Sequence, residues 1–219
     1  MLILITGACR GIGLSLTEQY CERGETVIAA VRNSSRELEK TAAEIITQID
    51  VTSDEAAKEL QQKLGSRKID ILINNAGILT SEFIGDMNFD RIRAQIEVNA
   101  LGPLRITTAL SDNLKEGSKV GIISSRVGSM TDNEYGGNYG YRMSKAAVNM
   151  AGKNLSIDLC ERGIGVYLLH PGWCATKLVN YGGPTEPGIA ASGIIERMDN
   201  LTIEQTGTFW HAEGYELPW

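Results

Sequence analysis

Short apolar runs alternate along this chain with longer polar stretches that repeat at helical spacing. Residues 2–5 form a branched apolar run stopped by Thr6-Gly7, the pattern of a strand covered on both faces in a parallel sheet. The pattern predicts a helix over 14–23 closed by Gly24, a second strand over 26–31, a helix over 37–43 and a third strand over 45–49. Asp50-Val51-Thr52-Ser53 supplies capping residues for a helix through Leu64, and 69–73 is a fourth strand. Residues 89–114 read as one long amphipathic helix, kinked near Asn99, where a polar amide and then Pro103 interrupt the apolar face. Beyond it come strands at 119–123, 166–169 and 208–210, a helix carrying Tyr141 and Lys145 to about Arg162, a loop at 177–186 and a helix at 187–201.

Strands alternating with helices across short connections predict an α/β architecture. One domain over residues 1–219 is expected, built on a doubly wound, mostly parallel seven-stranded sheet with helices on both faces. No linker, internal repeat or low-complexity tract divides it. A chain of 219 residues with 42% hydrophobic and 22% charged content can bury a full core. Its net charge of -6 disfavours nucleic acid and anionic membranes as partners. No apolar run approaches a membrane span and no leader-like pattern follows Met1, so a cytoplasmic protein is expected. Cys9, Cys21, Cys160 and Cys174 lack CxxC spacing and His170 and His211 lie far apart, which points to neither a disulfide framework nor a metal site.

Candidate chemistry gathers at the ends of the predicted strands. Thr6-Gly7-Ala8-Cys9-Arg10-Gly11-Ile12-Gly13 is a strand-to-helix turn with three glycines, where bare backbone N–H groups and a helix N-terminus favour a dinucleotide phosphate. A small residue at Gly13 lets helix and strand pack. After the second strand the chain has Arg32 where a carboxylate would suit the ribose hydroxyls of NAD; with Arg10, this arginine favours the 2′-phosphate of NADP. Asp50 is a turn residue or a contact to adenine. Asn74-Asn75-Ala76-Gly77 closes a loop at the carboxyl edge of the sheet, where ligands of open parallel sheets bind. Tyr141 and Lys145, four apart on one helix face, place a proton donor beside a cation. A phenol ordinarily titrates near pH ~10, and the ammonium is expected to lower that value.

Taken together, Thr6-Gly7-x-x-x-Gly11-Ile12-Gly13, Asn74-Asn75-Ala76-Gly77, Asn99, Ser125, Tyr141-x-x-x-Lys145 and Pro171-Gly172-x-x-x-Thr176 resemble the short-chain dehydrogenase/reductase family over nearly the whole chain. Ser124-Ser125-Arg126, His170-Pro171-Gly172-Trp173 and Leu217-Pro218-Trp219 resemble its C-factor and sniffer-like carbonyl reductase branch. The resemblance implies a single NAD(P)-binding Rossmann domain with a substrate loop and helix at about 177–201. It implies an NADPH-dependent reductase of a ketone or aldehyde, acting on a small carbonyl or alcohol substrate. In it Ser125 holds the carbonyl oxygen, Tyr141 is the acid or base, Lys145 binds the nicotinamide ribose and lowers the Tyr141 pKa, and Asn99 seats a water. Gly7, Arg10, Gly11, Ile12, Gly13, Arg32, Asp50, Val51, Asn75, Ala76, Gly77, Pro171, Gly172 and Thr176 would line the cofactor. Ser125 and Tyr141 stand farther apart than is usual for the family, so Ser124 and Ser129 also remain candidates for the oxyanion partner. His170 reads as structural and Trp173 as core or pocket wall. A homodimer or homotetramer through the helices near 89–114 and 140–162 is expected. The competing reading is an NADP-binding signalling or redox-sensing protein with little turnover.

Overall fold

The computed structural model describes residues 1–219. Its seven strands are β1 (Leu2–Thr6), β2 (Thr26–Ala30), β3 (Glu44–Ile46), β4 (Ile69–Asn74), β5 (Leu114–Ile123), β6 (Gly165–His170) and β7 (Phe209–His211). They pair in the order β3-β2-β1-β4-β5-β6-β7, and every pairing is parallel. The sheet is therefore wholly parallel, where the sequence predicts it mostly so. Six α-helices accompany it: α1 (Gly11–Glu22), α2 (Asp54–Leu64), α3 (Phe89–Ile96), α4 (Gly102–Ala109), α5 (Tyr139–Asp158) and α6 (Pro187–Asn200).

Alternation along the strands divides the apolar residues between two cores. Leu4, Ile28, Leu72, Val120 and Val166 point to one face and meet Leu60 of α2, Ile106 of α4 and Val148 of α5. Ile3, Ile5, Val27, Ile71 and Leu169 point to the other and meet Leu16 and Tyr20 of α1 and Ile194 and Met198 of α6. Because both faces are covered, the strands read as unbroken apolar runs instead of alternating ones. The fold is a single-domain Rossmann fold, and no helix is long and apolar enough to cross a membrane.

Three segments depart from the expected elements. Residues 37–43 form only a 3-10 turn at Leu38–Lys40. Ser35 and Thr41 hydroxyls bond the backbone of Leu38 at either end, a local alternative to helix, and Thr41 is already extended. β3 comes earlier and is shorter than expected, since Gln48 has a positive φ of 65° that a strand cannot continue through. The segment 89–114 is not one helix: a π-helical turn at Glu97–Leu101 separates α3 from α4, and a 3-10 turn at Ser111–Asn113 leads into β5 at Leu114. The expected kink at Asn99 is this wide turn, a recognised cause of helix bending.

α5 presents Met143, Met150 and Ile157 to solvent at seven-residue spacing, and Leu101 and Leu104 are exposed at the start of α4. On α6, two glycines make opposite demands. A Cβ on Gly188 would reach only the Gln19 side chain at 4.0 Å, whereas one on Gly193 would lie 2.5 Å from the Ala212 carbonyl oxygen. Removing a helical glycine gains up to about 1 kcal/mol in propensity, and overpacking against backbone costs about 1–3 kcal/mol. Gly188→Ala should raise the denaturant midpoint and Gly193→Ala should lower it, both with the slope of the transition unchanged.

Candidate active site

β1 and β4 are neighbours in the sheet but lead their connections to opposite faces, which opens a crevice at their carboxyl ends. The chain braces this point closely. Thr6 Oγ1 accepts from the Asn75 and Ala76 amides at 3.0 and 3.2 Å, and Asn75 Nδ2 donates to the Thr6 and Gly7 carbonyls, each at 3.1 Å. Gly7 has φ +67°, and a Cβ there would lie 2.8 Å from Ala76 Cα. Gly13 packs inward against Asn75 Nδ2 and the Gly7 carbonyl, with no room for a side chain. Asn75 is thus a strut as well as a lining residue.

A cleft of about 700 Å³ runs over this brace. Its middle is lined by Gly7, Gly11, Ile12, Asn75, Ala76 and Gly77. Toward β2 and β3 it meets Arg10, Arg32, Asp50 and Val51, and toward β5 and β6 it meets Tyr141, Lys145, Pro171 and Thr176. α1 begins at the cleft with no acidic residue in its first turn and no side-chain cap, so its leading N–H groups are free for an anion. Arg32 lies 3.8 Å from Asp50 and is otherwise well exposed. Burial raises the Asp50 pKa, but bonds from the Thr52 amide and hydroxyl, with Arg32 and Arg105 nearby, outweigh it and hold the carboxyl below its ordinary range. The same Thr52 bonds, at 2.9 and 2.8 Å, make Asp50 a turn residue.

Tyr141 and Lys145 meet at the other end, one turn apart on α5. Tyr141 is half-buried and Lys145 is buried, its Nζ donating to the Ile123 carbonyl at 2.8 Å and lying 5.6 Å from the Tyr141 ring centroid. Burial pushes the Tyr141 phenol up to about 12; the Ser125 hydroxyl pulls it back, and Cys174 adds a smaller upward push. Burial brings the Lys145 ammonium down to about 8. The expected lowering of the phenol by Lys145 is therefore corrected: desolvation wins, and Ser125 is the group that opposes it.

The three serines separate by what they bond. Ser124 Oγ donates to Asn149 Oδ1 at 2.5 Å, and Ser129 Oγ donates to the Trp219 carbonyl at 2.9 Å. Only the Ser125 hydroxyl acts on Tyr141. The extra residues of this loop bulge outward, with Asp132 paired to Arg126 and residues 134–136 exposed. Asn99, Gly172 and Ser125 stay out of the cleft lining, as does Gly13. The Asn99 amide is committed to Ile78, through its N–H and carbonyl at 2.8 Å, and to Ser144 Oγ at 2.9 Å. Gly172 turns at φ +87°. His170 packs edge-on to His211 at 4.9 Å, and burial, then His211, Arg126 and Lys145, lowers its pKa to about 3.

Trp173 is 61% exposed, so it is not core, and it does not line the cleft. A 3-10 turn at Lys177–Val179 interrupts the expected loop and brings Lys177, Leu178 and Tyr181 to the cleft. Sequence reasoning did not single these out, and it missed Ser34, Ser35 and Glu37 at the other end. Their only signal is position: they follow the ends of β2 and β6. No group of three or more His, Cys, Asp or Glu side chains converges as for a metal ion, and the four cysteines are unpaired.

Comparison with known proteins gives this cleft its context. Residues 1–186 match the family model described as short chain dehydrogenase. The chain is 43% identical over 223 residues to the 1-hydroxy-2-glutathionyl-2-methyl-3-butene dehydrogenase of Rhodococcus sp. (strain AD45), covering 99% of each. Among solved structures it superposes on the carbonyl reductase Sniffer of D. melanogaster with a TM-score of 0.91 and 27% identity, over 99% of this chain and 98% of that one. The NADPH-bound carbonyl reductase from chicken fatty liver gives a TM-score of 0.87 at 27% identity, again over 99% and 98%. A braced glycine turn, a phenol one turn before a buried lysine, and likeness in sequence and shape from end to end lead to one conclusion: the chain is an oxidoreductase belonging to the short chain dehydrogenase family.

Proposed function

We propose that this protein interconverts a ketone or aldehyde and its alcohol using NADP, with Tyr141 as the proton donor in reduction. The observation that carries the reading is the Tyr141 phenol facing the cleft, with the Ser125 hydroxyl acting on it and Lys145 one turn away. The residues of the cleft fit the dinucleotide. Free N–H groups at the start of α1 suit the diphosphate, and Gly7 and Gly11 let backbone approach it. Arg32 and Arg10 stand at the end where a 2′-phosphate would lie, as one solved relative at 27% identity carries NADPH.

When bound, the dinucleotide gives hydride to the carbonyl carbon or takes it from the alcohol. The protein's task is the charge on oxygen. Ser125 Oγ donates a hydrogen bond to the carbonyl oxygen, and Tyr141 Oη delivers its proton there as negative charge builds. A phenol held near 12 keeps that proton at neutral pH, so reduction needs no titration, whereas alcohol oxidation must first take the proton away and should quicken as pH rises. Lys145 spends one N–H on Ile123 and retains two for the ribose hydroxyls. Asn99 acts by position, tying the loop after β4 to α5. Leu178 and Tyr181, in the substrate loop and helix spanning 177–201, offer an apolar edge of the cleft to the substrate.

Tyr141→Phe should lower turnover at least a hundredfold in a panel of carbonyl compounds while NADPH still binds. Retention of more than about a tenth of the rate would move the acid elsewhere. Steady NADPH consumption by the wild type in the same panel separates the enzyme from an NADP-binding sensor with little turnover.

Arg32→Ala should weaken NADPH about ten- to a hundredfold and leave NADH nearly unchanged, the worth of one charge-assisted contact. Equal affinity of the wild type for the two cofactors would remove the basis for NADP. The Met143-Met150-Ile157 stripe and Leu101 support a homodimer through α4 and α5. Light scattering at micromolar concentration should give a dimer mass, reduced to a monomer's by Met150→Glu.

A further inference from the structure

Glu82 follows β4 in a stretch without regular structure, and its side chain is fully buried. A carboxylate out of water is strongly unfavourable unless donors surround it. Its partners are all uncharged: Thr80 Oγ1 donates at 2.5 Å, Gln95 Nε2 at 3.3 Å to either oxygen, and the Gly140 amide at 3.2 Å. Gly140 lies in the first turn of α5, immediately before Tyr141. That turn has no acidic residue, and the preceding Asn138 is left-handed and gives no side-chain cap.

We propose that Glu82 is a positioning residue for the Tyr141 proton transfer, capping α5 from another segment and so fixing where the phenol sits. The proposal rests on the assignment of Tyr141 as the proton donor.

The attachment has two parts. Glu82 also receives the Asn138 amide on its backbone carbonyl at 2.8 Å, and Gln95 Oε1 receives the Thr80 amide at 3.0 Å. Residues 80–82, α3 and the start of α5 are thereby one knot. Gly140 has no space for a side chain between Gln95 and Ile92, so α5 cannot slide without breaking it. The groups that act on the Tyr141 phenol come from other segments, Ser125 from the loop after β5 and Cys174 from the loop after β6, so the seating of α5 against them sets the site.

The test reads kcat against KM and coenzyme affinity. Glu82→Ala removes the acceptor of the Gly140 amide. Its kcat should fall about tenfold from loosened geometry. KM and coenzyme affinity should stay near wild type, because Glu82 does not line the cleft. Glu82→Gln keeps an oxygen that can accept from Gly140 and should restore most of the kcat. A folded Glu82→Ala with wild-type kcat overturns the proposal, as does a Glu82→Gln no faster than Glu82→Ala. Should Glu82→Ala not fold, Glu82→Asp carries the test: it is too short to hold Gly140, so kcat falls while KM stays. Wild-type kcat in Glu82→Asp overturns it. An active Tyr141→Phe would instead strike the underlying assignment, which distinguishes the two failures.

Discussion

The close approach of β1 and β4 at their carboxyl ends is the constraint on which the rest of the site depends. Two backbones cannot come so near with a side chain at position 7, and the peptide groups exposed there must be paired once buried. Thr6 and Asn75 do that pairing from either strand, and in doing so fix the angle at which α1 leaves the turn. An amide at Asn75 serves because it donates twice, into the consecutive carbonyls of Thr6 and Gly7 on the opposite side of the gap. The uncapped start of α1 at the cleft is consequently a by-product of how the two halves of the sheet are fastened.

The other end of the cleft is assembled on one long helix. α5 carries both Tyr141 and Lys145, and glycine contacts hold it close to its neighbours. A side chain at Gly128 would strike the Lys145 backbone at 2.7 Å, and one at Gly152 would lie 2.9 Å from Leu168. Asn99 adds a polar tie to Ser144, and Lys145 one to Ile123. Such a helix has little freedom to shift, and rigidity of this kind fixes the phenol and the ammonium relative to the cleft. The phenol itself is held in its acid form by desolvation, more strongly than the nearby ammonium could reverse.

Much of this was legible in the sequence, because the features concerned leave periodic or glycine-marked traces. The buried strands appeared as branched apolar runs, the turn at Gly7–Gly13 as glycines between strand and helix, and the Tyr141–Lys145 pair as a four-residue spacing. What stayed hidden depends on contacts distant along the chain. Nothing at Glu82 announces a buried acid, since its donors lie at Gln95 and Gly140. The identity of the serine acting on Tyr141 turned on Asn149 and Trp219 occupying the other two hydroxyls. Residues 37–43 lack a helix because the Thr41 hydroxyl satisfies the backbone locally, a competition that apolar periodicity does not record, and at 110–114 the Asn113 amide instead reaches the distant Gly65 and Arg67 carbonyls.

The wide turn at Glu97–Leu101 has a consequence for which changes this chain can tolerate. A π-helical turn holds one residue more than an α-helical turn, and each residue advances a helix by about 100°. One buried polar tie lies within it and one beyond it: Asn99 fastens to Ile78, and Thr107 on α4 accepts from Asn74 at 3.0 Å. Loss of a single residue between them would close the turn to ordinary pitch and rotate α4 until Thr107 and Ile106 left the sheet. The segment thus behaves as a phase adjuster between two anchors, indifferent to many substitutions in its exposed positions but intolerant of any change in length.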